Sequence, residues 1–124
     1  MALTHTLSGP LPGGAKLVRS YDSGDNAQVT VSTPTSRTRS RRLIAVLVHY
    51  SGSVSKNITV TLDSALGSAF DNLLTTIALS SAADGTYYPA TPLPLAPDDE
   101  IDVVVPASGT GGVTGSATIL TEEL

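Results

Sequence analysis

Short segments in which apolar and polar residues alternate run through much of this sequence, and they restrict the fold more than any other feature. Residues 57–63 alternate strictly, so that Ile58, Val60 and Leu62 share one face of the segment. Residues 26–33 show the same period of two. Because successive side chains of a β-strand point to opposite faces, this pattern predicts strands that are buried on one face only.

Other segments add strands and turns to this pattern. Residues 42–50 form a near-continuous apolar run, which predicts a strand buried on both faces, either central in its sheet or at an interface. Asp84-Gly85 is a strong signal for a tight turn. Residues 89–97 contain four prolines, which predict an extended crossing at a sheet edge because proline cannot donate to a central ladder.

The segments between residues 64 and 80 allow a helical alternative. Residues 64–71 could form one helical turn. Residues 72–80 fit either a helix or a strand, and we favour a strand because the segment leads into a turn. About eight short strands then remain, with turn signals roughly every 8–15 residues. The chain is therefore predicted to be all-β, a β-sandwich of jelly-roll-like form.

The domain organisation follows from length and from the distribution of glycine and proline. The 124 residues suit one domain, and the Gly- and Pro-rich residues 1–14 predict an extended N-terminal arm before a single β-sandwich domain at residues 15–124. We expect no secretory signal and no membrane partner, because the chain has neither a basic leader nor an apolar run long enough to span a bilayer.

Residues suited to catalysis are few. His5 and His49 are isolated histidines without metal-ligand spacing, and the chain has no cysteine. A serine nucleophile would need a base, and only His49 could serve. We interpret His49 instead as a hydrogen-bonded residue at the end of a strand. The sequence therefore predicts no enzyme activity, no cofactor and no metal centre.

One acidic cluster leaves a cation site open. It consists of Asp98, Asp99, Glu100 and Asp102. Carboxylate oxygens bind Ca²⁺, but the spacing lacks the pattern of a calcium-binding loop. We favour a solvated turn before a strand, and whether the cluster binds a cation stays open at this point.

The charges are divided unevenly along the chain. Residues 1–56 carry seven cations and two acids, a net charge of +5, whereas residues 57–124 carry nine acids and no cation. Such asymmetry predicts complementary contacts between copies, or a basic side that faces an acidic partner.

Four arginines lie within six residues of the basic part, at Arg37, Arg39, Arg41 and Arg42. We favour a loop that pairs with an acidic protein surface over a merely solvated loop. Nucleic acid is the least favoured partner, because no base-stacking aromatic residue lies nearby. The candidate protein-interface residues are these arginines and two leucines of the N-terminal arm, Leu3 and Leu7.

The stretch from residue 42 to residue 124 resembles small virion proteins of tailed bacteriophages, of the capsid decoration or cement kind. The resemblance covers about two-thirds of the chain. It is carried by the arginine-led residues 41–46, residues 58–67, Tyr87-Tyr88-Pro89, the proline-rich residues 92–101 and the closing residues 117–120.

The resemblance implies a β-sandwich subunit, commonly a homotrimer, made in the host cytoplasm and bound to the outside of a phage capsid. Its partners would be the major capsid protein and further copies of itself, and it would stabilise the capsid by bridging capsomers. The family has no catalytic residues to carry over.

The alternative is a carbohydrate- or receptor-binding module, as in a head fibre or tail component. Sugar sites usually expose aromatic platforms, and Tyr87 and Tyr88 are the candidates for one. Adjacent residues of a strand point to opposite faces, which weakens this interpretation.

Overall fold

The computed structural model describes residues 4–10, 15–35 and 40–123. Within these ranges two antiparallel sheets contain ten strands, and the core lies between them, so the predicted all-β sandwich is confirmed. The strands are two more than the eight or so expected from the sequence. Within the described residues the helical content is a single 3₁₀ turn at Ser68–Phe70, inside the segment expected to form one turn.

The first sheet has the strand order β1-β2-β10-β4-β7, and β8 pairs with the other end of β4. Its strands are β1 (His5–Pro10), β2 (Lys16–Asp25), β4 (Arg41–Val54), β7 (Ala82–Tyr87), β8 (Leu93–Leu95) and β10 (Thr114–Glu123). The second sheet has the order β3-β9-β5-β6. Its strands are β3 (Val29–Ser32), β5 (Asn57–Asp63), β6 (Asn72–Ala78) and β9 (Glu100–Val105).

The core consists mainly of aliphatic side chains from the inward positions of both sheets. Val31, Leu43, Ile58, Ile101 and Ile119 are fully buried. Each such side chain contributes about 1.5–3 kcal/mol of transfer free energy on burial. The alternation that predicted one-sided strands therefore also supplies the residues that join the two sheets.

β4 is a central strand, as its apolar run predicted, but it is not buried equally on both faces. Val46 and Val48 are buried in the core, whereas Leu47 is half-buried and His49 is exposed on the outer face of the sheet. The strand therefore supports the core on one side and offers a partly apolar surface on the other.

Tyr50 is the largest fully buried side chain. Its hydroxyl donates to the carbonyl of Pro106 at 2.7 Å, and burial raises the pKa of this phenol. A Cβ atom at Gly115 would lie 2.5 Å from Cε1 of the ring, so only glycine fits opposite this tyrosine. The ring and Gly115 thus define the packing between β4 and β10.

The tight turn predicted at Asp84-Gly85 is wrong, because both residues lie within β7. The chain passes from β6 in the second sheet to β7 in the first sheet earlier, where Ser81 adopts a φ of 48°. Glycine is needed at position 85 for a different reason. A Cβ atom there would lie 2.5 Å from Cγ2 of Ile77 in the facing sheet.

The N-terminal segment also needs a correction. The sequence predicted an extended arm at residues 1–14, but His5–Pro10 is an edge strand that pairs with β2 from His5↔Tyr21 to Pro10↔Lys16. The rest of the predicted arm, apart from Thr4, lies outside the described residues. Backbone pairing explains the difference, because an extended edge strand needs no buried face of its own.

Two further expectations between residues 72 and 97 are confirmed. Residues 72–78 form the strand β6 that we favoured over a helix. The proline-rich crossing runs along a sheet edge, where Leu93–Leu95 pairs with Arg41–Leu43 and Pro94 lies opposite Arg42.

Candidate functional site

The arginines expected to form one exposed loop are not equivalent. Arg41 is only 4% exposed, and its guanidinium donates to the backbone carbonyl of Asp99 at 2.9 Å. Arg42 forms an ion pair with Glu122 of the neighbouring strand at 2.9 Å. The expectation that these two arginines contact a partner is therefore wrong for Arg41, which is buried, and weakened for Arg42, whose guanidinium is paired with Glu122.

The remaining candidate interface residues have different positions. Arg37, Arg39 and Leu3 lie outside the described residues. Leu7 is 54% exposed on the edge strand β1, so it is available for contact.

The acidic cluster is divided into two parts by the fold. Asp99 is buried, and its carboxylate accepts hydrogen bonds from the backbone N–H groups of Ala65 and Ala96, each at 2.9 Å. The expectation of a solvated turn is wrong for this residue, because the carboxylate ties the β5–β6 connection to the loop before β9. Asp98 adopts a φ of 65° at the same turn.

Glu100 and Asp102 point to the outer face of the second sheet, where Asp63 of β5 joins them. The carboxylate oxygens of these three residues lie within 4.8 Å of one another. Desolvation and then Asp102 raise the pKa of Glu100 to about 7. Desolvation, followed by repulsion from Asp102, also raises the pKa of Asp63. Three oxygen ligands could come from this group, although acidic clusters of this kind also occur without a cation.

The raised pKa of Glu100 predicts that stability falls as the pH rises. A carboxyl whose pKa is higher in the folded state than its ordinary value of 4.5 favours folding in its protonated form. This contribution is complete below about pH 4.5 and is lost as the pH passes through about 7. In Glu100→Gln the group stays neutral, so the loss should be absent.

Urea unfolding at pH 5 and pH 8 measures this effect. We expect the parent and Glu100→Gln to differ little at pH 5, and the variant to be more stable by about 1 kcal/mol at pH 8. This figure is well below the full linkage value because the group is partly exposed and screened by water. Parallel changes of parent and variant between the two pH values would contradict the prediction.

A shallow depression of about 500 Å³ lies on the outer face of the first sheet. Strands β1, β2, β4 and β10 form its floor and sides. Its size is that of a small-molecule or oligosaccharide subsite. The lining residues are His5, Tyr21, Asp22, Ser23, His49, Ser51, Thr114, Ser116, Ala117 and Thr118.

The register of the sheet brings these side chains together. Exposure alternates along β2, so Val18 and Ser20 are buried whereas Tyr21 and Ser23 face outwards. Tyr21 lies opposite Thr118 of β10, and Ser116 lies opposite His49 of β4. The depression is therefore built by two adjacent rows of outward residues on rigid strands.

One wall of the depression is aromatic. The rings of His5 and Tyr21 are stacked, with centroids 5.3 Å apart and an interplanar angle of 29°. Tyr21 is 39% exposed, so part of its ring is open to solvent. The pairing of β1 with β2 fixes this stack, because His5 lies directly opposite Tyr21.

The opposite side is polar. His49 Nδ1 and Asp84 Oδ1 are 2.5 Å apart, and both side chains are more than half exposed. This contact confirms the expectation that His49 is hydrogen-bonded. The expectation that it ends its strand is wrong, because β4 continues from His49 to Val54. The Ser116 hydroxyl donates to the backbone carbonyl of His49 at 3.2 Å, and so is directed at the backbone and not at the imidazole.

The sequence did not single out Tyr21. The two tyrosines that it suggested as platforms are separated by the fold, since Tyr87 packs against the core and Tyr88 is 64% exposed. The sequence carried no clear signal for Tyr21, because the inward positions of β2 include the polar residues Ser20 and Asp22 and do not contrast in polarity with the outward row. Nothing in the sequence placed His5 beside that row.

No family model matches the chain, and no curated protein matches it. Among solved structures, a mutant of the carbohydrate-binding module CBM29-2 in complex with cellulohexaose has 17% sequence identity and a TM-score of 0.39. The match covers 98% of this chain and 80% of that one.

A second mutant of the same module, in complex with mannohexaose, gives 16% identity and a TM-score of 0.37, with 98% of this chain and 80% of that chain covered. Likeness at this level does not identify the ligand of this chain, and the β-sandwich assignment rests on the two sheets themselves. The described residues contain no helix long and apolar enough to cross a membrane.

Proposed function

We propose that this chain is a carbohydrate-binding β-sandwich module whose ligand occupies the depression on the first sheet. The observation that carries the proposal is the stacked pair of His5 and Tyr21. A sugar ring has one face lined by C–H groups, and an exposed aromatic ring offers the flat apolar surface on which such a face packs.

The polar side of the depression supplies the complementary hydrogen bonds. Sugar hydroxyls both donate and accept, and the hydroxyls of Ser23 and Ser116 can do the same. The Asp84 carboxylate accepts hydrogen bonds, and its pairing with His49 holds both groups beside the depression. Because strands hold these side chains, little conformational entropy is lost when a ligand binds.

Replacing Tyr21 with alanine should weaken saccharide binding at least about tenfold, because the stacking surface and its buried area are lost together. The measurement is isothermal titration calorimetry, after an array of soluble oligosaccharides that includes cellulohexaose and mannohexaose has identified a ligand. Tyr88→Ala is the matched control. It removes another exposed tyrosine, which is 64% exposed and lies outside the depression.

Tyr88→Ala should bind the saccharide as tightly as the parent. Equal binding by Tyr21→Ala and the parent would place the site elsewhere. Failure of the whole array to bind at millimolar concentration would reject the carbohydrate function.

The capsid-decorating role implied by the sequence resemblance stays a prediction. The geometry supports this role less well, because two of the four arginines expected to contact the capsid are engaged within the chain. Arg41 is buried, and Arg42 forms an ion pair with Glu122. Binding to the outside of a capsid would be seen directly as a regular coat on purified capsids.

A further inference from the structure

The aromatic and the polar side of the depression belong to different strands. The stack of His5 and Tyr21 joins β1 to β2, whereas the pair of His49 and Asp84 joins β4 to β7. β10 lies between the two sides, since the strand order is β1-β2-β10-β4-β7. A ligand that contacts both sides must therefore run across the strands.

The span between the two sides sets the length of such a ligand. Neighbouring strands are about 4.8 Å apart, so the three steps from β1 to β4 cover about 14 Å. One pyranose ring is about a third as long as this span, so a row of roughly three rings fills it. A single sugar on the aromatic side therefore does not reach His49.

The floor between the two sides is low and rich in hydroxyl groups. Thr118 lies opposite Tyr21, and Ser116 lies between Ser23 and His49. These three residues, Ser23, Ser116 and Thr118, have short side chains that leave the space above them open, and each hydroxyl can take part in hydrogen bonds with a sugar. The middle of the depression therefore suits a continuous row of sugar rings.

The charges around the depression favour a neutral ligand. No lysine or arginine is among the described residues that line it, and Arg19, two residues before Tyr21 on β2, is not part of the lining. The Asp84 carboxylate is more than half exposed beside His49. A carboxylate or sulfate on a saccharide would meet this negative charge without a lysine or arginine to pair with.

We propose that the ligand is a neutral, linear oligosaccharide of about three sugar units that lies across the strands, with one end ring on Tyr21 and the other beside His49. This inference rests on the function proposed above and adds the class, the length and the direction of the ligand. The aromatic side contributes to the binding of a ligand of any length. The His49 side contributes only when the ligand is long enough to reach it.

Nuclear magnetic resonance titration of the full chain, which follows binding into the high millimolar range, measures the dependence on length. The probes are cello- and manno-oligosaccharides of one to six units, together with the same lengths of any other series that the array identifies. We expect affinity to rise at least about tenfold from one unit to three and less than about twofold from three units to six.

Two failures can be told apart in this experiment. If no saccharide bound, the proposed function would be rejected and the inference with it. If saccharides bound with an affinity that did not change with length, or that still rose steeply beyond four units, the inference alone would be overturned.

The two histidines provide a matched pair of variants, because both line the depression and they lie at opposite sides of it. His49→Ala should weaken binding of the three-unit ligand about three- to tenfold and binding of the single sugar less than about twofold. His5→Ala removes the ring that is stacked on Tyr21 and should weaken both ligands by the same factor. Circular dichroism should show both variants folded. Equal losses for short and long ligands in His49→Ala would overturn the proposed direction.

Oxidation of the primary hydroxyls of the three-unit ligand to carboxylates tests the neutral class. We expect the acidic form to bind at least about threefold more weakly at low salt, and the difference to shrink at high salt as the charges are screened. Equal or tighter binding of the acidic form at low salt would overturn the assignment to neutral saccharides.

Discussion

Asp99→Ala is expected to destabilise the protein by about 3–5 kcal/mol, a large part of the stability of a domain this size. The buried carboxylate accepts two backbone hydrogen bonds, from Ala65 and Ala96. Its own backbone carbonyl accepts a hydrogen bond from the buried guanidinium of Arg41. Alanine leaves both N–H groups without their acceptor, whereas the backbone carbonyl that Arg41 contacts is kept.

Urea unfolding followed by circular dichroism at pH 7 measures this effect. Asp71→Ala is the matched control, because Asp71 is an exposed aspartate that accepts one backbone hydrogen bond, from Ser64 at 2.8 Å. We expect the control to lose about 1 kcal/mol or less. Similar losses in the two variants would show that the buried position of Asp99 adds nothing.

Tyr50→Ala is expected to cost about 3–5 kcal/mol for a second and independent reason. The ring is fully buried between the sheets, and Gly115 packs directly against it, so truncation leaves a cavity that Gly115 has no side chain to fill. Tyr50→Phe separates the contribution of the hydroxyl. It keeps the ring and loses only the hydrogen bond to Pro106, and should cost about 1 kcal/mol.

The same unfolding measurement applies, with the expectation that Tyr50→Phe lies much closer to the parent than Tyr50→Ala does. If the two variants lost the same stability, the hydrogen bond and not the packing of the ring would be the main contribution of Tyr50.

The fold could be predicted from local patterns because each strand buries one face. The alternation of residues 57–63 and the preference for a strand at residues 72–80 needed no knowledge of the partner strands. Asp84-Gly85 was misinterpreted because glycine serves two purposes in sheets, as a turn residue and as a site of close approach. At Gly85, only the close approach to Ile77 of the facing sheet shows that the second purpose applies.

The candidate site was harder to predict because it depends on register. His5 and Tyr21 stack only because β1 pairs with β2 at that position. His49 and Asp84, which are 35 residues apart in the sequence, meet only because β4 pairs with β7. Arg41 and Asp99 were both assigned to the surface. Their contact across 58 residues makes them part of the interior instead.

The position of β10 has a consequence for the order in which the molecule can form. β10 lies between β2 and β4, so the middle of the first sheet is supplied by residues 114–123. A growing chain that has not yet released these residues from the ribosome can close the second sheet, whose strands end at Val105, but not the first. Until then no strand connects β2 with its neighbour β1 to β4 with its neighbours β7 and β8. Folding of this half must wait for the last strand, and the half-formed sandwich exposes its apolar core during that interval.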